Sequence, residues 1–130
     1  MKMTSMNVIA ALLFALLPGA ILAQNVDLSG TWVGDTVIPA SPDKDQLTLV
    51  LKKDGASYTG TISDTMGMMN QAALESVKIA DGTLSFQFVA HTGEQEIRVT
   101  ITLKISGDKL VGSWVTESGD TGPVEMERKK

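Results

Sequence analysis

Alternation of apolar and polar side chains over Glu96–Ser106 is the feature that most constrains how this chain can fold. Every second residue is isoleucine, valine or leucine, and the residues between them are charged or carry a hydroxyl group. Successive side chains of a β-strand point to opposite faces, so the pattern indicates a strand with one buried side and one solvent-facing side. The chain after residue 23 shows almost no helical periodicity, and we therefore predict an all-β protein.

Shorter versions of the same alternation recur along the chain, separated by glycine-containing links. Links such as Asp54-Gly55, Asp81-Gly82 and Gly107-Asp108 suit tight hairpins, because these residue types tolerate positive φ. Sequential strands should then pair antiparallel and close into an eight-stranded up-and-down barrel, which removes exposed sheet edges; a two-sheet sandwich is the alternative. The eight predicted strands are Gly30–Ile38, Gln46–Lys53, Ser57–Ser63, Leu74–Ala80, Thr83–Ala90, Glu96–Ser106, Leu110–Glu117 and Gly122–Arg128.

Residues 1–23 have the composition of a secretory signal peptide. Lys2 provides a positive start, Val8–Leu17 is an apolar run, and Ala23-Gln24 is a plausible cleavage point. The run is too short to span a bilayer comfortably. We expect residues 24–130 to form a single domain that is periplasmic or secreted.

The net charge of the chain argues against several classes of partner, and its lack of cysteine excludes disulfides as a source of stability. The chain has 11 basic and 15 acidic residues, a formal net charge of −4, which argues against nucleic acid or an anionic membrane as partner. It has no cysteine, so the core must stabilise the fold without disulfides. The basic residues cluster only at Arg128-Lys129-Lys130, which is either a solvated end or a docking patch.

The two tryptophans of the chain occupy matching local settings, "LSGTWVG" around Trp32 and "LVGSWV" around Trp114. Gly30 and Gly34 share the inward phase of Trp32, and Gly112 shares that of Trp114. Inward glycines make room for a large ring or let a strand coil tightly. Because the first and last strands of a barrel meet, we expect both indoles to lie near each other as core anchors; stacking on a ligand is the alternative role.

The connection Asp64–Ala73 differs from the others, because it is long and contains Met66, Met68 and Met69. Exposed methionine suits an adaptable binding surface, so this segment is a candidate lid over one end of the barrel. The alternative is that the methionines cap that end and complete the core.

Four segments in order resemble the lipocalin and calycin superfamily, and more closely a group of small exported bacterial lipocalin-like domains. They are "GTWVG" at Gly30–Gly34, "LTLVLKKDGASYTGTIS" at Leu47–Ser63, "ADGTLSF" at Ala80–Phe86 and "ISGDKLVGSW" at Ile105–Trp114. The resemblance implies a barrel and an apolar ligand, and it supplies no catalytic residues. The chain departs from lipocalins in its shorter length and its lack of a disulfide and a C-terminal helix, which argues against a roomy cavity.

Catalytic and metal-binding patterns are weak. His91, the single histidine, lies in a turn, where it is a polar turn residue or, at a barrel mouth, a haem ligand. Asp43 and Asp45 flank a lysine without the glycine bend of a calcium loop, and Asp35, Glu96 and Glu125 fall on the outward phase. We therefore predict a protein that is not an enzyme and has no metal site or cofactor.

These patterns favour an exported barrel that binds a small apolar or amphipathic molecule in its interior. The alternative is an interaction module with a solid core, which contacts an exported protein or a cell-wall component through its outer face. The sequence leaves the oligomeric state open. The predicted interior ligand-binding residues are Trp32, Leu49, Tyr58, Phe86, Phe88, Val99, Ile101 and Trp114.

Overall fold

A computed structural model describes residues 27–37 and 44–130, and this part of the chain is entirely β-structure and turns. It forms one antiparallel sheet of nine strands. The predicted signal peptide and the predicted end of the first strand at Ile38 lie outside the described residues. The strands are β1 Gly30–Val37, β2 Lys44–Asp54, β3 Ser57–Asp64, β4 Ala72–Ala73, β5 Glu75–Ala80, β6 Thr83–Thr92, β7 Gln95–Ser106, β8 Lys109–Thr116 and β9 Thr121–Arg128.

The all-β class is confirmed, and the predicted count of eight strands is wrong by one. The additional strand is the two-residue β4, at the end of the methionine-containing connection, which pairs with Thr61 and Ile62 of β3. Its sequence, Ala72-Ala73, is too short to show an alternating pattern. None of the described residues forms a helix long and apolar enough to cross a membrane.

The sheet curls into a nearly closed barrel rather than splitting into the two sheets of a sandwich. Each strand pairs with the next one along the chain, except that β4 does not pair with β5. β1 also pairs with β9, so the first and last strands meet as the sequence predicted. At the remaining seam, β3 and β4 face β5 and β6. The Leu74 backbone N–H donates to the Gly60 carbonyl across 3.1 Å where the chain passes from β4 to β5.

The inward side chains of all the long strands form one apolar core. Leu49, Ile62, Leu84, Leu103 and Met126 come from five different strands and are each no more than 1% exposed. Burial at roughly 25 cal/mol per Å² of apolar surface makes this interior the main stabilising feature of a chain without disulfides.

Inward glycines allow neighbouring strands to approach each other closely. A Cβ atom at Gly34, Gly60 or Gly112 would collide with a backbone carbonyl oxygen of the adjacent strand. Only Gly122, on β9, lies against an indole: a Cβ there would meet Trp114 Nε1 at 2.7 Å. Gly34 and Gly112 therefore make room for the backbone of the adjacent strand and not for a ring, so the expected role in making room for a ring is wrong, and their role in tight strand coiling stays a prediction.

One end of the barrel, called here the sealed end, is filled around Trp32. The Trp32 indole N–H donates to the Leu28 carbonyl across 3.0 Å, and the Leu28 N–H donates to the Tyr58 hydroxyl across 2.9 Å. The Arg128 guanidinium lies 4.3 Å from the centre of the Trp32 ring. It also donates to the Ser29 and Asp27 carbonyls, both at 2.8 Å, so it fixes the segment that covers this end. Arg128 is thus a structural residue, contrary to the expectation of a solvated tail or docking patch.

Candidate functional site

The opposite end, called here the open end, contains a cavity of about 190 Å³. It lies near the end of β6, the start of β7 and the end of β8, next to the half of the barrel that is filled by side chains. Most of its wall is apolar, which keeps the interior favourable for hydrocarbon and unfavourable for isolated water molecules. The apolar wall residues on the strands include Leu47, Phe88, Ala90, Val99 and Ile101.

Trp114 forms one side of this cavity and is held by a chain of hydrogen bonds. Its indole N–H donates to Thr36 Oγ1 across 2.8 Å, and the Thr36 hydroxyl donates to the Pro123 carbonyl across 2.6 Å. Because the buried N–H has a partner, the ring can border an apolar space without leaving a polar group unsatisfied. Gly122 supports the ring from the neighbouring strand. The indole therefore has a fixed orientation toward the cavity.

The segment 65–71, called here the methionine loop, brings two of its three methionines to the cavity. Met68 and Met69 line it, and Met69 is only 6% exposed, whereas Met66 points outward and is 43% exposed. The His91 backbone N–H donates to the Met68 carbonyl across 2.8 Å, which ties the loop to the end of β6. The flexible thioether side chains cover part of the cavity, so the loop lies where the sequence predicted a lid.

Two carboxylates hold the base of the methionine loop. Asp45 Oδ1 accepts hydrogen bonds from the Thr65 N–H and the Met66 N–H, both at 3.1 Å, and from the Thr65 hydroxyl at 3.2 Å. Asp64 Oδ1 accepts from the Met69 N–H at 2.9 Å. The second oxygen of each carboxylate is buried and has no hydrogen-bond partner among the described residues. Each aspartate therefore anchors the loop with one oxygen, and its other oxygen has a hydrogen-bond donor only when a proton lies between the two carboxyl groups.

Asp45 is the more unusual member of the pair, because it is fully buried and also lines the cavity. Burial and, next, the neighbouring Asp64 carboxyl together raise the pKa of Asp45 from 3.8 to about 6, against the opposing effect of the hydrogen bonds from Thr65 and Met66. At acidic pH the two carboxyl groups can share one proton. Above about pH 6 Asp45 gives up its proton, and its negative charge then faces the Asp64 carboxyl.

The rest of the polar lining consists of Thr36, Thr92, Thr116 and Asp120. The Thr116 hydroxyl accepts from the Asp120 N–H across 3.2 Å, which shapes the turn between β8 and β9. The polar groups are therefore hydroxyls and carboxylates. None of the described residues that line the cavity is basic.

The structure divides the predicted ligand-binding residues into two groups. All of them are buried, which agrees with their predicted inward phase. Phe88, Val99, Ile101 and Trp114 line the cavity. The remaining four, Trp32, Leu49, Tyr58 and Phe86, are not among the cavity-lining residues.

The two indoles are not neighbours, contrary to the sequence-based expectation. Trp32 pairs with Arg128 at the end of β9, whereas Trp114 pairs with Gly122 near its start. The separation along β9 is roughly 20 Å, at about 3.4 Å per residue. One indole fills the sealed end and the other borders the cavity.

Other candidate groups lie away from the cavity wall. His91 is exposed, and its Nδ1 lies 3.9 Å from Glu96 Oε2. Asp35, Glu96 and Glu125 are exposed on the outer face, and Asp43 lies outside the described residues. Within the described ranges no three histidine, cysteine or acidic residues come together as metal ligands. Sequence reasoning overlooked Asp45 as an interior residue, although it stands in phase with Leu47 and Leu49 and could have been found by extending that alternation backwards.

Comparisons of this chain with models of protein families, with curated proteins and with solved structures found no match. The function is therefore inferred from the cavity and its lining.

Proposed function

We propose that this protein is an exported, lipocalin-like barrel that binds one small apolar or amphipathic molecule at its open end. The observation that carries the proposal is the apolar cavity of about 190 Å³ beside the oriented Trp114 ring. The sealed end is filled by side chains, so an unfilled space at the open end is not a general consequence of the fold. The proposal that the protein is exported depends on the composition of residues 1–23.

The size of the cavity limits the ligand. An engineered apolar cavity of about 150 Å³ accepts benzene, so a somewhat larger space suits one aromatic ring or a short alkyl chain. Each buried methylene contributes about 0.8 kcal/mol before the cost of ordering the ligand. Six such groups give roughly 5 kcal/mol, so a hexyl chain should bind weakly, with a Kd no lower than on the order of 0.1–1 mM.

Titration with 1-hexanol, monitored by tryptophan emission and by calorimetry, tests this proposal. We expect a saturable change in emission, because Trp114 borders the cavity. In Trp114→Phe the emission of the remaining Trp32, at the sealed end, should not respond. Absence of saturable heat and of any increase in melting temperature with hexanol, benzene or other small apolar probes would refute the proposal.

A second candidate function is an interaction module, and it is favoured by one feature of the outer face. Val37, Val111 and Val115 are 46%, 45% and 43% exposed on β1 and β8, which flank β9. A groove crosses these strands, and Val37 and Val111 are among the residues that line it. If none of the small apolar probes binds in the cavity, the interaction module becomes the better supported function.

A further inference from the structure

Among the described residues, the charged side chains that line the cavity are all acidic. Asp45 and Asp120 contribute carboxylates, and three threonines contribute hydroxyls. No lysine, arginine or histidine lines the cavity among the described residues, and the sequence of residues 38–43, which joins β1 to β2, contains none either. A ligand carboxylate placed here would meet repulsion and no cationic partner.

Asp45 has a carboxylate oxygen without a hydrogen-bond donor, and a ligand could supply that donor. It is a fully buried carboxylate on the cavity wall, and its Oδ2 has no hydrogen-bond donor. Asp64 Oδ2 is in the same condition. Buried carboxylate oxygens without donors are energetically unfavourable, and either a proton or a cation relieves that cost. An ammonium group donates three hydrogen bonds and carries the complementary charge.

We propose that the cavity selects small apolar molecules that bear a protonated amine over the corresponding carboxylates, with the ammonium group against Asp45. This inference rests on the proposed function, since the apolar part of the ligand must first enter the cavity. The ammonium group takes the place of the proton that the two aspartates otherwise share. Amine binding therefore releases a proton at pH values where the pair still holds one.

The expected pH dependence follows from the groups around Asp45. Asp64, at the end of β3, is the ionisable neighbour that acts on it, and Asp120 adds a second carboxylate to the same cavity. Lys44 precedes Asp45 in the chain and is exposed. His91 is exposed on β6 beside the carboxylate of Glu96. An alkylamine stays protonated to about pH 10, so any change in its affinity below pH 7 reports on the protein.

Calorimetric titration with hexylamine, 1-hexanol and hexanoate at pH 7.5 tests the selectivity directly. Hexylamine and 1-hexanol share a hexyl chain, whereas hexanoate has a pentyl chain because its sixth carbon is the carboxylate, which by itself weakens binding up to about fourfold. We expect hexylamine to bind at least about tenfold more tightly than hexanoate, with hexanol between them. If hexanol binds and hexanoate equals or exceeds hexylamine, the amine inference is wrong while the proposed function stands; if hexanol and the other neutral probes do not bind, the proposed function itself fails.

Two variants separate a specific contact from the general attraction of an acidic protein for a cation. Asp45→Asn should reduce the preference for hexylamine over hexanol to nearly one. Asp35→Asn removes the same charge from the outer face of β1 and should leave the preference unchanged. An equal loss in both variants would overturn the inference.

The wild-type protein provides a test that does not depend on how a variant folds. Between pH 7 and pH 5, hexylamine affinity should fall by up to about tenfold as the aspartate pair regains its proton, while hexanol affinity stays constant. In the same range, hexylamine binding in buffers of different ionisation enthalpy should show proton release. A hexylamine affinity that does not change with pH, or that changes in parallel with hexanol, would contradict the proposed site.

Discussion

The two ends of the barrel use the same residue type in opposite ways. At the sealed end, the Trp32 N–H donates to a main-chain carbonyl and the ring lies under the Arg128 guanidinium, so the indole completes the core. At the open end, the Trp114 N–H donates to a threonine hydroxyl and the ring borders a cavity. The difference shows that a shared local sequence sets the inward direction of a side chain, whereas the strand register sets its height in the barrel.

The largest expected contrast comes from truncating each tryptophan in turn. Trp32→Ala should lower the free energy of unfolding by about 3–5 kcal/mol, because a large buried ring is removed from a filled region. Trp114→Ala should cost less, about 2 kcal/mol, since one face of its ring already borders open space. Urea unfolding of both variants measures the difference. Equal losses would show that the two ends are packed alike.

The pH dependence of stability should depend on the open end through Asp45. Its pKa is raised from 3.8 to about 6 in the folded protein, so the folded state binds more protons than the unfolded state between these values. Stability is therefore lost as pH rises from about 4 to 6, and the loss persists above pH 6. The amount is about 3 kcal/mol, from a shift of roughly two pH units.

Asp45→Asn should remove this pH dependence and stabilise the protein near neutral pH. The asparagine oxygen can accept the bonds from Thr65 and Met66, and its amide can donate to Asp64. Urea unfolding of wild type and variant at pH 4.5 and pH 7.5 checks the sign, because the ionisation of other groups is common to both. A variant that loses more stability at pH 7.5 than at pH 4.5, relative to wild type, would show that the pair is not strained by ionisation.

The smallest expected effect is at the hydrogen bond that orients Trp114. Thr36→Val leaves the buried indole N–H without its acceptor and should cost about 1–2 kcal/mol. It should also change the Trp114 emission, because the ring loses its fixed orientation. Thr48→Val, on the outer phase of β2, is the matched control and should change neither quantity. If Thr36→Val changes neither the free energy of unfolding nor the emission, this hydrogen bond does not hold the Trp114 ring in position.

Much of the fold could be predicted from alternation and turn residues, as Glu96–Ser106 illustrates. This segment lies within β7, with Val99, Ile101 and Leu103 buried. The short β4 could not be found, because two alanines carry no periodicity. The alternation assigned Phe86 and Phe88 to the same interior, yet it could not show that only Phe88 reaches the cavity. That distinction depends on the register between strands, which is a property of the assembled sheet.

The charged residues were harder to place than the apolar ones. Arg128 begins the basic run Arg128-Lys129-Lys130, which is typical of a solvated tail, and only the pairing of β1 with β9 brings its side chain over Trp32. Asp45 follows a proline-containing stretch typical of a loop, and only the structure shows its carboxylate inside the barrel. In both cases a partner distant in sequence overrides the local tendency of a charge to face water.

The hydrogen bond from the His91 N–H to the Met68 carbonyl joins the methionine loop to the end of β6, beside the seam of the sheet. A movement of the loop backbone that carries Met68 off the cavity would break this bond, next to the place where the β-ladder is already interrupted. If the proposed ligand enters past this loop, its entry should loosen the hydrogen bonds at this seam of the sheet. Amide hydrogens on β5 and at the end of β6 should exchange faster with deuterium in the protein without ligand than in the protein with a ligand in the cavity. Their exchange rates would then report how much of the protein has ligand bound.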